Sequence, residues 1–277
     1  MHELNPIPLT FRLISALALI VLLVPVVIVV LSGLNAGEYL SFPPQGFSLR
    51  WITGFFASPT FLPAFGFSFG LATLTMIIST ILGTLASIFL TRTTSRSKEF
   101  LRSLFILPVV LPGVVLGLAL YIFFIWSGFG LNRTFVGLLI GHVLVTMPFV
   151  IAAVTASLVD FDMSVEEAAR SLGASPLQAF RKITLPMISP GIMAGSIFAF
   201  IVSFGQFELT LFLSAPNLQT LPLAIYTSLR YAFEPTAAAA GIFAICLVTA
   251  STIISARLVN FKRLFARPQG AGPNKER

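Results

Sequence analysis

Six apolar stretches, near 13–33, 64–91, 104–126, 135–158, 191–213 and 237–258, alternate with short polar or basic segments. Each is about as long as the roughly 20 helical residues that cross a hydrocarbon core. The pattern predicts an all-α integral membrane protein of six transmembrane helices. Two longer segments connect the spans on one side. Residues 34–62 are rich in proline, glycine and aromatic residues, and in 214–236 the stretch from Leu221 to Tyr231 reads as a short interfacial helix.

The basic residues orient these spans. Arg12; Arg92, Arg96, Lys98 and Arg102; Arg170, Arg181 and Lys182; and Arg257, Lys262, Arg263, Arg267, Lys275 and Arg277 all fall on one side. They are 14 of the 17 basic residues, and only Arg50, Arg133 and Arg230 fall on the other. Positive charge is retained on the cytoplasmic side, so both termini are expected in the cytoplasm. The expected organisation is a cytoplasmic amino terminus at 1–12, a six-span domain at 13–258 with a cytoplasmic loop at 160–190, and a disordered cytoplasmic tail at 259–277. Arg12 before the first apolar run resembles the start of a cleaved leader. That run is too long for one, and its removal would upset the charge balance, so it is read as a retained span.

Composition narrows the class further. With 56% hydrophobic and 10% charged residues, the chain has too little polar surface for a soluble globule. Its single cysteine, Cys246, lies in an apolar run and excludes an internal disulfide framework. The net charge of +7 would suit nucleic acid, but its distribution is that of a topology signal, and no nucleic-acid partner is expected. Glycines four apart, at Gly66 and Gly70, Gly113 and Gly117, Gly137 and Gly141, and Gly191 and Gly195, allow close helix packing within this subunit or against a second one.

The most specific local signal is the charged segment between the fourth and fifth spans. Ser164 and Glu167 have capping-box spacing, which predicts a helix from Val165 with Val165, Ala168, Ala169 and Leu172 on an apolar face. Gly173 suits a left-handed stop. Ser175, Pro176 and Gln178 then repeat a helix start, with a second helix running to about Thr184 before Pro186 ends it. Glu167, Ala168, Ala169, Gly173, Ile183, Leu185 and Pro186 stand at the spacing of the coupling-loop (EAA) motif, and by them the chain resembles the permease subunits of ATP-driven bacterial importers, the ABC family.

That resemblance implies a type I ABC importer permease fold in the bacterial inner membrane. It also implies a like or identical second permease, a cytoplasmic ATPase dimer, and an external solute-binding protein. Ser164, Glu167, Ala168, Ala169, Leu172, Gly173, Ile183, Leu185 and Pro186 would couple the chain to the ATPase. The chain is not expected to be an enzyme. None of its four lysines follows a glycine, so no phosphate-cradling Gly-Lys-Ser or Gly-Lys-Thr is present. ATP and magnesium belong on the partner ATPase, and no cofactor is expected on this chain. No metal site is expected either, because His142 and Cys246 have no suitable neighbours. His142 reads as a structural hydrogen-bonder rather than a proton relay.

The substrate path is less sharply drawn. Glu208 is the acidic residue placed well inside a predicted span, where an acid costs about 2.5 to 3.5 kcal/mol and calls for a wet cavity or a partner. On a continuous fifth helix Phe200, Phe204 and Glu208 would share a stripe with Gln206 beside it, and Phe204, Gln206 and Glu208 are the pathway candidates. They would attract an organic cation by charge and cation–π contact. Alternatively, Glu208 lies near the outer interface or bonds a neighbouring helix. The stretch from Phe42 to Trp51, Thr220-Leu221-Pro222, Tyr226 and Arg230 resemble the spermidine/putrescine branch of these permeases. That branch often carries an acidic pair directly after the phenylalanine of the fifth span, whereas Gly205 and Gln206 follow Phe204 here. The expected function is therefore the permease of a polyamine importer, with ferric iron, phosphonate or another small solute as alternative cargo. An autonomous secondary transporter or channel is the rival mechanism.

Overall fold

The computed structural model describes residues 8–231 and 233–266, with side chains as far as 257. Its helices are α1 (Leu9–Gly33), α2 (Arg50–Ala57), α3 (Phe61–Arg92), α4 (Lys98–Val110), α5 (Gly113–Trp126), α6 (Phe135–Val159), α7 (Met163–Ser171), α8 (Pro176–Ala179), α9 (Leu185–Gly205), α10 (Thr210–Leu213), α11 (Leu221–Tyr231) and α12 (Thr236–Ala266). Five helical segments are long and apolar enough to cross a membrane, and α4 with α5 supplies a sixth if the bent pair is one span. Six spans were expected, and α11 coincides with the predicted interfacial helix. The last helix continues to Ala266, past the expected boundary at 258, and the rest of the expected tail lies outside the described residues.

Two spans depart from the expected straight helices. The third is bent by 106° between α4 and α5. Leu111 precedes Pro112, whose ring disfavours helical backbone at the residue before it, and Leu111 is extended with ψ 137. The fifth starts earlier than predicted, runs as Pro176–Gly205, and breaks at Gln206 before the short α10. Glu208 therefore lies in a turn, not on a helical stripe with Phe200 and Phe204.

Two compact units are distinguishable. The first comprises residues up to Phe65 together with Ala224–Leu247. Here Gly33 lies against Ala239 and Ile242, and Phe55 stacks on Phe243 with ring centroids 4.3 Å apart. Asn35 is fully buried, and its amide organises the loop after α1: Nδ2 donates to the Tyr39 carbonyl and Ser41 Oγ, while Oδ1 accepts from the N–H groups of Gly37 and Gln45. The apolar side chains of α1 from Leu9 to Val27 are largely exposed, an arrangement suited to lipid rather than water.

The second unit comprises Gly66–Leu223 and the residues from Val248, and α6 is its central post. Leu138, His142, Thr146, Val150, Val154 and Leu158 are buried along it at helical spacing. Apolar burial gives little drive between helices in lipid, so close packing and interhelical hydrogen bonds carry the association. Ser79 Oγ and Thr146 Oγ1 are 2.7 Å apart, and Ser87 Oγ donates to the Ile151 carbonyl at 3.2 Å, which joins α3 to α6. Gly191 and Gly195 let α9 approach α6 at Ala153, Ser157 and Val150. Gly113, Gly117, Gly137 and Gly141 also sit at close approaches, whereas Gly66 and Gly70 face open space.

These two classes of glycine predict opposite signs. A Cβ at Gly195 would come within 2.9 Å of the Val150 Cα, which only backbone movement can relieve. Gly195→Ala is expected to lower the thermal unfolding midpoint, at a cost of about 1–3 kcal/mol. Gly70→Ala should raise it, because it gains about 1 kcal/mol of helix propensity without a clash. Thermal melts of the detergent-purified variants check both signs.

Candidate functional site

The charged segment folds as two short helices, as its sequence predicts, but the first begins elsewhere. Asp162, not Ser164, caps α7: its carboxylate accepts from the Ser164 N–H at 2.9 Å, so the helix starts at Met163. That backbone hydrogen bond holds the Asp162 carboxyl below its usual range. Gly173 has φ +93, and the N–H groups of Gly173 and Ala174 return to the carbonyls of Arg170 and Ala169. This is the Schellman stop, which a side chain at Gly173 would strain. Ser175 and Gln178 form the expected reciprocal capping box, with Pro176 in the first turn.

Pro186 does not end the second helix. Phe180–Thr184 adopt a π turn in which the Leu185 N–H bonds the Phe180 carbonyl, five residues back. The wider turn relieves Pro186, which can neither donate to nor fit against the carbonyl four residues back, so α8 continues into α9.

The inward side of α7 is not the predicted apolar face. Val165, Ala168 and Leu172 are exposed, with Leu172 at 90%, and only Ala169 is half-buried. Ser164, Glu167, Gly173, Leu185 and Pro186 are also exposed, and Ile183 is half-buried. With Leu177 and the exposed Arg170, Arg181 and Lys182, the segment presents apolar knobs among cations. A surface of this kind suits a protein partner.

The residue that turns inward is Glu166. Its carboxylate takes a two-pronged contact from Arg92, Nη1 to Oε1 at 3.2 Å and Nη2 to Oε2 at 2.5 Å, and Thr184 Oγ1 donates to Oε2 at 2.5 Å. Burial pushes this carboxyl upward, but the hydrogen bonds from Thr184 and Arg92 and the charges of Arg92 and Arg170 outweigh it and hold the group below the usual glutamate range. Glu166 thus clamps α7 to the end of α3 and to the π turn below α9. Sequence reading had credited Arg92 only with orientation and had passed over Glu166. Adjacent helical residues project about 100° apart, and here Glu166 is buried while Glu167 is exposed.

The pathway candidates are distributed between two environments. Phe204 is buried and stacks with Phe200 at 6.1 Å between centroids. Gln206 and Glu208 instead line a cavity of about 230 Å³ with Pro108, Leu111, Gly113, Val145 and Phe149. Both broken spans converge here, because a Cβ at Gly113 would meet Glu208 Oε2. The break after Gly205 is held by His142, which is fully buried. Ser203 Oγ lies 2.9 Å from Nδ1 and Thr210 Oγ1 lies 3.0 Å from Nε2, so one ring bridges the helix ends on both sides of the break. Thr210 gives its proton to the Gln206 carbonyl at 2.9 Å, so Nε2 carries the ring proton and Nδ1 accepts from Ser203.

The family described as binding-protein-dependent transport system inner membrane component matches residues 79–264. The spermidine/putrescine transport system permease protein PotC of Escherichia coli K12 is 28% identical over 251 residues, 91% of each chain. The putrescine transport system permease protein PotI of the same organism is 31% identical over 216 residues, 76% of each chain. Among solved structures, a bacterial ABC transporter involved in the import of the acidic polysaccharide alginate superposes with a TM-score of 0.69 at 17% identity, covering 94% of this chain and 96% of that one.

The Glu166 clamp is separable from the packing of α6 on α9. Glu166→Gln should weaken it by about 1–3 kcal/mol by leaving Arg92 without its charge partner. Hydrogen exchange is expected to accelerate in 163–184 and to stay unchanged in 138–158. Because the folded carboxyl lies below its ordinary value of 4.5, the clamp's contribution is complete above that value. It is lost as pH falls through the lower folded value. Exchange measured in an acid series should show a larger loosening of 163–184 in the wild type than in the variant, which retains only the loss of the Asp162 cap.

Proposed function

Because the chain belongs to the family of binding-protein-dependent transport system inner membrane components, and so is a permease subunit of an ABC importer, we propose that its cargo is a polyamine, putrescine or spermidine. Family membership sets aside the autonomous transporter or channel. The observation that carries the substrate reading is the convergence of two broken spans on the Glu208 carboxylate at a cavity whose other lining side chains, Gln206 apart, are apolar. Broken helices meeting at a cavity are where transporters bind their cargo, and a carboxylate there favours a cation. Similarity to PotC over 91% of the chain supports the same reading.

In this proposal the exposed α7–α8 surface seats in a groove of a cytoplasmic ATPase dimer, where ATP and magnesium are bound. Glu167, Leu172, Gly173 and their neighbours contact that partner, and both termini share its side of the membrane. Closure of the ATPases presses on the segment. The Glu166 clamp passes the displacement to α3 and to the base of α9, whose far end is the break beside Glu208. A second permease, like or identical, completes the pathway, and an external binding protein delivers the solute. Gly66 and Gly70, which have open space around them, suit close packing against that second permease.

Uptake of labelled putrescine and spermidine tests this in transport-deficient cells that carry the complete transporter. Saturable, ATP-dependent uptake is expected from the wild type, and Glu208→Gln should reduce its efficiency about tenfold or more, the loss of roughly one charge-assisted contact. Gly173→Asp and Glu167→Lys should insert normally but abolish uptake. No wild-type uptake by an assembled complex would discard polyamines in favour of ferric iron, phosphonate or another solute. Normal uptake by the two loop variants would remove the coupling assignment.

A further inference from the structure

A cavity of about 540 Å³ lies between α3, α4 and α6, and it shares no lining residue with the Glu208 cavity. One end of it is charged. Lys98 and Arg102 on α4 and Asp160 after α6 line this end, near the end of α3 at Leu90 and Thr91. The other end is apolar, walled by Ile106, Pro148, Ile151 and Ala152. Lys98 and Arg102 take part in neither ion pair formed among the described residues, which join Arg50 to Glu38 and Arg92 to Glu166.

The polarity gradient has a length. From Pro148 to Val159, α6 rises roughly 16 Å at about 1.5 Å per residue, about half of a hydrocarbon core near 30 Å thick. The cavity therefore matches the depth of one leaflet in length, with charge at one end and apolar walls at the other. Two cations against one carboxylate leave a single positive charge at the mouth, which suits one phosphodiester and disfavours an organic cation. We propose that this cavity is a binding site for an anionic phospholipid, with its phosphate on Lys98 and Arg102 and an acyl chain along Ile106, Ile151 and Ala152.

Native mass spectrometry of the complete transporter, stripped of lipid and titrated with phosphatidylglycerol, tests it. Wild type should take up one tightly held molecule per copy of this chain. The Lys98→Gln/Arg102→Gln double variant should bind about tenfold more weakly, as expected for loss of charge-assisted contacts. Arg12→Gln/Arg257→Gln removes the same charge outside the cavity and should leave binding intact. Ala152→Trp fills the apolar end with the cations in place and should also weaken binding, which provides a second reading if the double variant does not assemble. Phosphatidylcholine of the same chain length should bind more weakly than phosphatidylglycerol, and millimolar inorganic phosphate should not displace the lipid. Equal binding of the two lipids, displacement by phosphate, no retained lipid on the wild type, or unchanged retention when the cations are removed or the apolar end is filled would overturn the proposal.

Discussion

Within a bilayer every backbone N–H and C=O must find its partner inside the protein, and the cost of failing is several kcal/mol per group. This chain nevertheless interrupts two of its spans. Each interruption survives because it is buried against, or faces, other parts of the same unit. Pro112 removes one donor at the first break, and Thr210 satisfies the Gln206 carbonyl at the second. The His142 ring, rooted in the continuous α6, then ties the two flanks of the second break together. Had α6 been broken as well, neither interruption would have had a fixed support. The polar lining of the Glu208 cavity is thus a consequence of one unbroken helix standing between two broken ones.

The spans were legible because hydrophobic length is a direct reading of membrane thickness, and the capping box at Ser175 and the glycine stop at Gly173 were legible because each is local chemistry. The bend at Pro112 was written in Leu111-Pro112-Gly113, although uninterrupted hydropathy masks it. The second break was not legible. Gly205-Gln206-Phe207-Glu208 contains no proline, and its geometry depends on a histidine more than sixty residues away in sequence. The inward turn of Glu166 was hidden for a similar reason, since its partners Arg92 and Thr184 come together only in the folded unit. Pattern reading located the segment and its apolar stripe, which the fold leaves largely exposed, but not the carboxylate that anchors the segment's inner side.

The exposed α7–α8 surface and the Glu208 cavity lie at opposite ends of one continuous helical path, from Pro176 through Gly205. Glu166 and Arg92 secure the surface end, and His142 secures the cavity end. Between them α9 lies against α6 at Gly191 and Gly195 with almost no side chain interposed. Such a contact transmits a displacement as a rigid-body shift, because there are few rotamers in which it can dissipate.

The π turn at Phe180–Thr184 sets the phase of that path. A π turn accommodates about one residue more than an α turn, and each residue of an α-helix advances the azimuth by about 100°. The outer side of α8 is therefore not an upward extension of the buried side of α9; the two stripes are dialled independently, like two cams keyed at different angles on one shaft. Loss of a single residue from this turn would set Pro186 against the carbonyl it now clears and swing Leu177 and its neighbours a quarter-turn or more relative to α9. A length change that would pass unnoticed in a loop would here act as a change of address.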